Sequence, residues 1–250
     1  MKSFLLCIFL STAFALPQKK KVKIFIAGDS TAANKEVRAY PETGWGMPFA
    51  YFFDSSVVVE NRAKNGRSTR TFISEGLWQK LIDDVHEGDY VFIQFGHNDE
   101  VPSKIDRYTP PDAYKKNLAK FITETRSRSA NPVLLTPVSR RQFDSSGHVR
   151  ETHLEYSALV REVAKQFNVP LIDLDEKSRA LLQKFGPENS RLLFMQLDPG
   201  EHPNYPAGRN DNTHFNELGA RKMAQLVLEG IRELHLQLVQ FIRPPLEAEK

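Results

Sequence analysis

The 250-residue chain reads as an α/β protein, a three-layer α/β/α sandwich built on a parallel five-stranded sheet, and three observations carry that expectation. Five short runs are β-branched or apolar almost without interruption, segments of helical periodicity separate them, and the early runs end in Gly, Asp, Ser or Asn. Strands buried on both faces lose the alternation of a half-exposed sheet, and parallel neighbours need crossover connections. Continuous apolar strands alternating with helices therefore imply a sheet covered on both sides.

In chain order, strands are expected at 22–28 (VKIFIAG), 56–61 (SVVVEN), 89–96 (DYVFIQFG), 131–138 (NPVLLTPV) and 169–174 (VPLIDL). The clearest helices span 74–86, 110–128 and 151–167, with a closing helix from Glu217 to Leu238 whose apolar residues recur at three and four. No linker, repeat or charge block divides the chain, so a single domain over 22–240 is the expectation.

The opening MKSFLLCIFLSTAFALP carries Lys2, an apolar run from Phe4 to Leu10 and the small-residue pattern Ala13-Phe14-Ala15, the parts of a secretory signal peptide over 1–15. The run is shorter than the roughly twenty residues of a spanning helix, and QKKKVK follows, so no membrane insertion is expected. Cys7, the single cysteine, lies inside this leader. The mature chain is thus expected to lack disulfides, thiolate metal sites and a Cys nucleophile, in keeping with a secreted or periplasmic location. The net charge of +3 is small and QKKKVK reads as a solvated tail, so no nucleic-acid partner is expected.

Open parallel sheets bind ligands outside the carboxyl ends of their strands. There the first strand runs into Gly28-Asp29-Ser30, the second into NRAKNGRS with Gly66, and the third into GHND with Asn98; GRNDNTHFN (208–216) directly precedes the last helix. Taken singly, each is ordinary turn chemistry, and Ser30 alone suits the N-cap of a following helix. An activated serine needs a base within hydrogen-bond reach and a group orienting that base. Asp211 and His214, three apart on a loop or an opening helical turn, supply both residue types. The amides of Ser30 and Gly66 and the side-chain NH2 of Asn98 are candidate donors to a developing oxyanion.

GDST with Ser30, the second-block Gly66, GHND with Asn98 and DNTH with Asp211 and His214 resemble the four blocks of the SGNH, or GDSL, hydrolases. More narrowly, FIAGDSTAA, GWG at 44–46, NRAKNGRSTRTF, FGHND, TPVSRR and DNTHFN are similar to the rhamnogalacturonan acetylesterase branch, carbohydrate esterase family 12, in order from Val22 to the last helix. The resemblance implies a flavodoxin-like fold and ester hydrolysis through an acetyl-enzyme, with Ser30 as nucleophile, His214 as general base, Asp211 orienting it, and an oxyanion hole of Ser30, Gly66 and Asn98. It implies no metal and no organic cofactor and an acetylated polysaccharide such as rhamnogalacturonan as substrate; a monomer is expected. A broader carbohydrate or acetylxylan esterase and a GDSL lipase are the neighbouring readings, and His97 receives no role.

Two rival classes compete. The chain has no G-x-S-x-G elbow and no dinucleotide or P-loop glycine pattern. His97, Asp99, Asp211 and His214 are acceptable ligands for a hydrolytic metal, but that reading leaves Ser30 and Gly66 without a task. Trp45, Trp78, Tyr40 and Tyr108 could stack on sugars in a non-catalytic binding module, although Trp78 sits on a helical pattern and reads as core. If the polymer is pectic, Arg67, Arg70, Arg140, Arg141 and Arg209, in loops expected near the catalytic edge, are candidate contacts for galacturonate carboxylates, and Trp45 for a sugar ring.

Overall fold

The computed structural model describes residues 21–244; the leader expected at 1–15, with Cys7, lies outside them. The chain begins with β1 (Val22–Gly28), passes a short helix α1 (Gly46–Phe49) and returns as β2 (Val57–Asn61). Next come α2 (Thr69–Ser74), α3 (Leu77–Asp83), β3 (Tyr90–Gln94), α4 (Pro111–Ser127), β4 (Asn131–Leu135), α5 (Leu154–Gln166), β5 (Leu171–Ile172) and α6 (Leu174–Asn189). The chain closes with β6 (Phe194–Leu197), β7 (Arg209–Phe215) and α7 (Glu217–Glu233). β1 to β5 form one parallel sheet in the order β2-β1-β3-β4-β5, with Ile26 opposite Asn61 and Phe92 at its two sides.

Strand periodicity divides this sheet into two cores. Ile24, Ile26, Tyr90 and Phe92 face one layer, packed with Phe49 of α1 and Met223, Val227 and Ile231 of α7. Phe25, Ala27, Val91 and Ile93 face the other, packed with Phe72, Trp78, Leu118, Phe121 and Val160 from α2 to α5. Both sides of β1 and β3 are therefore apolar, which is why those strands read as unbroken hydrophobic runs.

The differences from the sequence-based expectation have local causes. The helix expected over 74–86 is divided because Gly76 adopts a left-handed conformation (φ +70°) between α2 and α3, and α2 starts earlier because Ser68 and Thr71 form a capping box. β5 covers only two residues of the expected 169–174, because Asp173 turns outward to cap α6 through the Glu176 amide. The closing helix stops at Glu233, and His235, with φ +49°, separates it from a 3₁₀ turn at Gln237–Phe241. The polar stretch 208–216, expected as a loop or an opening helical turn, contains β7, which pairs antiparallel with β6 in a separate two-stranded sheet.

Candidate active site

Ser30 leaves β1 in a tight turn, and no helix follows directly for it to cap, the alternative that the residue taken singly suited. Asp29, fully buried, accepts the amide and hydroxyl of Thr31 (2.9 and 2.7 Å), and the amides of Ala32 and Ala33 return to its carbonyl. Residues 30–33 then turn, and only a three-residue 3₁₀ segment at Val37–Ala39 follows. GWG packs directly against this turn. A Cβ on Gly44 would lie 2.1 Å from the Ala33 carbonyl oxygen, so only glycine permits the approach. Trp45 is wholly buried, its backbone amide on the Thr31 carbonyl and its indole N–H on Gln94 Oε1 (both 2.9 Å). That corrects the expectation that Trp45 stacks on a sugar: it braces the serine turn from inside the core.

His214 reaches Ser30 across 184 residues of sequence, with its Nε2 2.9 Å from Ser30 Oγ. Its Nδ1 lies 2.8 Å from Asp211 Oδ2. The geometry comes from an irregularity in β7. Met195 of β6 faces Asp211 while the adjacent Phe194 faces Phe215, so Asn212, Thr213 and His214 bulge out between consecutive partners. Within the bulge Asp211 Oδ1 accepts the amides of Thr213 (2.8 Å) and His214 (3.0 Å), leaving Oδ2 for the imidazole and for Arg209 Nη2 (2.7 Å). Burial opposes ionisation of Asp211, but the hydrogen bonds from His214 and Arg209 outweigh it and hold the carboxyl well below its usual range. An ionised Asp211 only accepts, so Nδ1 carries the imidazole proton and Nε2 is left to accept the Ser30 hydroxyl.

Gly66 and Asn98 close the opposite wall of a cavity of about 400 Å³ that also exposes Ser30 and His214. Gly66 has φ +74°, a left-handed turn that glycine adopts without strain. Asn98 donates one Nδ2 hydrogen to the Arg67 carbonyl (3.0 Å), and its Oδ1 accepts from Arg107 (3.3 Å), which fixes the orientation of the amide. The next residue, Asp99, accepts the amide and hydroxyl of Thr69 (2.9 and 2.6 Å) and so ties the GHND turn to the Gly66 loop; burial pushes its carboxyl up to about 7. His97 is buried, and desolvation, then His153 and Arg140, push its imidazole well below the ordinary range, so the ring stays neutral.

The expected arginines separate. Arg140 and Arg209 line the cavity, each with a carboxylate partner: Glu100 at 2.7 Å for Arg140, Asp211 for Arg209. Arg67 pairs with Glu75 (2.9 Å), Arg70 holds the Ile105 carbonyl (3.1 Å), and Arg141 holds Asn212 Oδ1 (2.9 Å) and Ser190 Oγ (3.0 Å). These three fasten loops and do not line the cavity, which corrects their expected place at the substrate. Lys104 and Arg107, from the loop after GHND, line it instead. Their signal was two cations just downstream of a block at the catalytic edge. Tyr108 contributes its carbonyl to Arg70, and Trp78 is core as expected. Among the described residues no helix is long and apolar enough to cross a membrane, and no group of three His, Cys, Asp or Glu is placed to hold a metal ion.

Residues 26–222 match the GDSL-like Lipase/Acylhydrolase family. The chain is 43% identical to the rhamnogalacturonan acetylesterase RhgT of Bacillus subtilis over 88% of its own length and 94% of that protein. It is 42% identical to a rhamnogalacturonan acetylesterase of Emericella nidulans, over 90% of each. The crystal structure of YxiM from Bacillus subtilis superposes with a TM-score of 0.74 at 25% identity, covering 87% of this chain and 58% of that one. From its fold, its assembled Ser, His and Asp and these similarities, the chain is a member of the GDSL-like lipase/acylhydrolase family.

Proposed function

We propose that the chain is a serine esterase that removes acetyl groups from rhamnogalacturonan, and the continuous Ser30–His214–Asp211 chain (2.9 and 2.8 Å) is the observation that carries the reading. Ser30 Oγ attacks the acetyl carbonyl carbon as His214 Nε2 takes its proton. The amides of Ser30 and Gly66 and the second Nδ2 hydrogen of Asn98 receive the oxyanion. Collapse breaks the ester bond, and the departing sugar oxygen takes the proton from His214. Water, activated by the same imidazole, then releases acetate from acetyl-Ser30. Both ring nitrogens of His214 are engaged in this chain, which argues against a metal-ligand role for it.

The substrate rests on the rhamnogalacturonan acetylesterase relatives and on the charge of the cavity. Lys104, Arg107, Arg140 and Arg209 line it; Glu100 and Asp211 already pair with Arg140 and Arg209, which leaves Lys104 and Arg107 as the cations that suit a uronate. Acetate release from acetylated rhamnogalacturonan by the wild-type protein, lost in Ser30→Ala, is the expected result; retained release in Ser30→Ala overturns the mechanism. We also propose that residues 1–15 direct export to the periplasm or exterior and that the mature protein is a monomer. An exported product with an N-terminus at Leu16, eluting as one chain in gel filtration, is expected.

A further inference from the structure

A second cleft, of about 520 Å³, lies beside the catalytic cavity between the segment 34–51 and the start of α7. Among the described residues eight large apolar side chains are exposed, and three of them, Val37 (90%), Tyr51 (70%) and Tyr40 (46%), gather here. Single exposed apolar residues need no explanation; a cluster in a concavity points to a ligand. Its walls are already held. Tyr40 donates its hydroxyl to Glu217 (2.7 Å), Asn204 Nδ2 donates to the carbonyls of Tyr40 (2.8 Å) and Val37 (3.2 Å), and Tyr205 donates to the Ala39 carbonyl (2.8 Å). Val37 and Tyr40 therefore stand on a braced segment.

The cleft adjoins the reacting centre. Glu42 lines both cavities, and Lys35, which lines the cleft, places its Nζ 2.6 Å from the Ser30 carbonyl oxygen. Glu42, the residue common to both linings, is ion-paired with Lys35 at 2.8 Å. The two chambers differ in chemistry. The catalytic cavity is rimmed by four cations, whereas the cleft presents aromatic and aliphatic faces together with Glu36, Glu217 and Arg221, a set with no cationic excess. Lys35 has spent its three ammonium hydrogens on Ser30 O, Asn65 Oδ1 and Glu42 Oε1, so it offers no free donor to a carboxylate.

We propose that this cleft is a second sugar subsite, taking a neutral deoxy sugar adjacent to the acetylated uronate, with Tyr51 and Val37 against its C–H and methyl face. The inference rests on the rhamnogalacturonan reading above. In a polymer that alternates a uronate with a 6-deoxy sugar, one residue meets the cationic cavity while its neighbour meets an apolar one. A polymer of uronates alone places a carboxylate in the apolar cleft, where desolvation without a cation opposes binding. The cleft thereby selects the alternating backbone.

The test compares wild type, Tyr51→Ala and Val37→Ser on three substrates: acetylated rhamnogalacturonan oligosaccharides, acetylated homogalacturonan oligosaccharides and 4-nitrophenyl acetate. Both side chains are on the surface, and circular dichroism checks that the variants fold. In Tyr51→Ala, KM for the alternating oligosaccharide is expected to rise roughly tenfold at constant kcat, the factor that about 1.4 kcal/mol represents. KM for the other two substrates is expected to stay within about twofold, and Val37→Ser to move the same way by less. Unchanged KM for the alternating oligosaccharide, or an equal rise on all three substrates, overturns the subsite and leaves the esterase reading standing. Loss of a dimer in Tyr51→Ala with KM unchanged also overturns it, since the cleft is then a self-association surface. No acetate release from rhamnogalacturonan by wild type, alongside turnover of 4-nitrophenyl acetate, overturns both readings together.

Discussion

Lys35 Nζ lies 2.6 Å from the backbone carbonyl oxygen of Ser30, and the same ammonium reaches Asn65, the residue before Gly66, at 2.7 Å. Its third partner, Glu42, stands 3.6 Å from Arg209, which holds Asp211 at 2.7 Å. One buried cation therefore ties the serine turn to the Gly66 loop, and through Glu42 and Arg209 to the carboxylate behind the imidazole. Burial pulls the lysine's pKa down and the Glu42 carboxylate beside it pulls back up. Lys35→Met is expected to lower kcat on a small acetyl ester by about 10- to 100-fold with little change in KM, because it loosens transition-state donors more than substrate contacts. Lys35→Arg should recover part of that loss. Unchanged kcat in Lys35→Met would remove Lys35 from the positioning network.

Replacing the orienting acid should separate geometry from charge. Asp211→Asn keeps an acceptor for the Thr213 and His214 amides but no longer stabilises an imidazolium, so kcat is expected to fall by roughly 10²- to 10⁴-fold with the fold preserved. His214→Ala should be at least as impaired. Steady-state kinetics with a matched thermal melt is the check, and near wild-type kcat in either variant contradicts the assignment.

Asn98 should matter chiefly as charge develops on the carbonyl oxygen. Asn98→Ala is expected to lower kcat by roughly 10²- to 10³-fold at nearly constant KM. A rise in KM at constant kcat would make Asn98 a ground-state contact instead.

Asp99 should give stability a measurable pH dependence. Burial raises its folded-state pKa from the ordinary carboxylate value of 3.8 to about 7. Between these values the folded chain holds a proton that the unfolded chain has released, so stability falls as pH rises from about 4 to 7 and stays reduced above. Asp99→Asn retains an acceptor for Thr69 and cannot ionise. Urea melts should therefore show the variant gaining on wild type between pH 4.5 and 8, by on the order of 1–4 kcal/mol. A pH-independent difference would mean that Asp99 titrates normally.

The cationic rim predicts a salt effect restricted to charged substrates. Lys104→Ala should raise KM for the pectic polymer while leaving 4-nitrophenyl acetate untouched; Arg107→Ala should raise KM for the polymer too and, because Arg107 also orients Asn98, lower kcat on both substrates. Polymer turnover should weaken with added salt as the Debye length shrinks from about 10 Å at 0.1 M. Equal salt sensitivity for both substrates would exclude a carboxylate contact.

Much of this protein was legible in its residues because each feature has a local physical cause. Strands buried on two faces must be apolar throughout, so β1, β3 and β4 announced themselves and the parallel sheet followed. Ser30, Gly66, Asn98, Asp211 and His214 stood out as polar blocks at the one edge where such sheets carry chemistry. Features set by distant contacts were not legible in this way. The three-residue bulge that brings Asp211 beside His214 depends on where β7 meets Phe194 and Met195, and the local pattern of a polar stretch says only that it turns. Trp45 was indistinguishable from a surface aromatic until the Ser30 turn and Gln94 closed over it. Arg67 and Arg70 looked like Lys104 and Arg107 in composition; their partners, Glu75 and the Ile105 carbonyl among them, decided which cations face the cavity. Sequence patterning determined which residue types meet at the strand ends, because burial and backbone conformation act within a few residues. The tertiary structure decided which of them touch, because partners up to 184 residues apart are brought together by sheet order and loop packing.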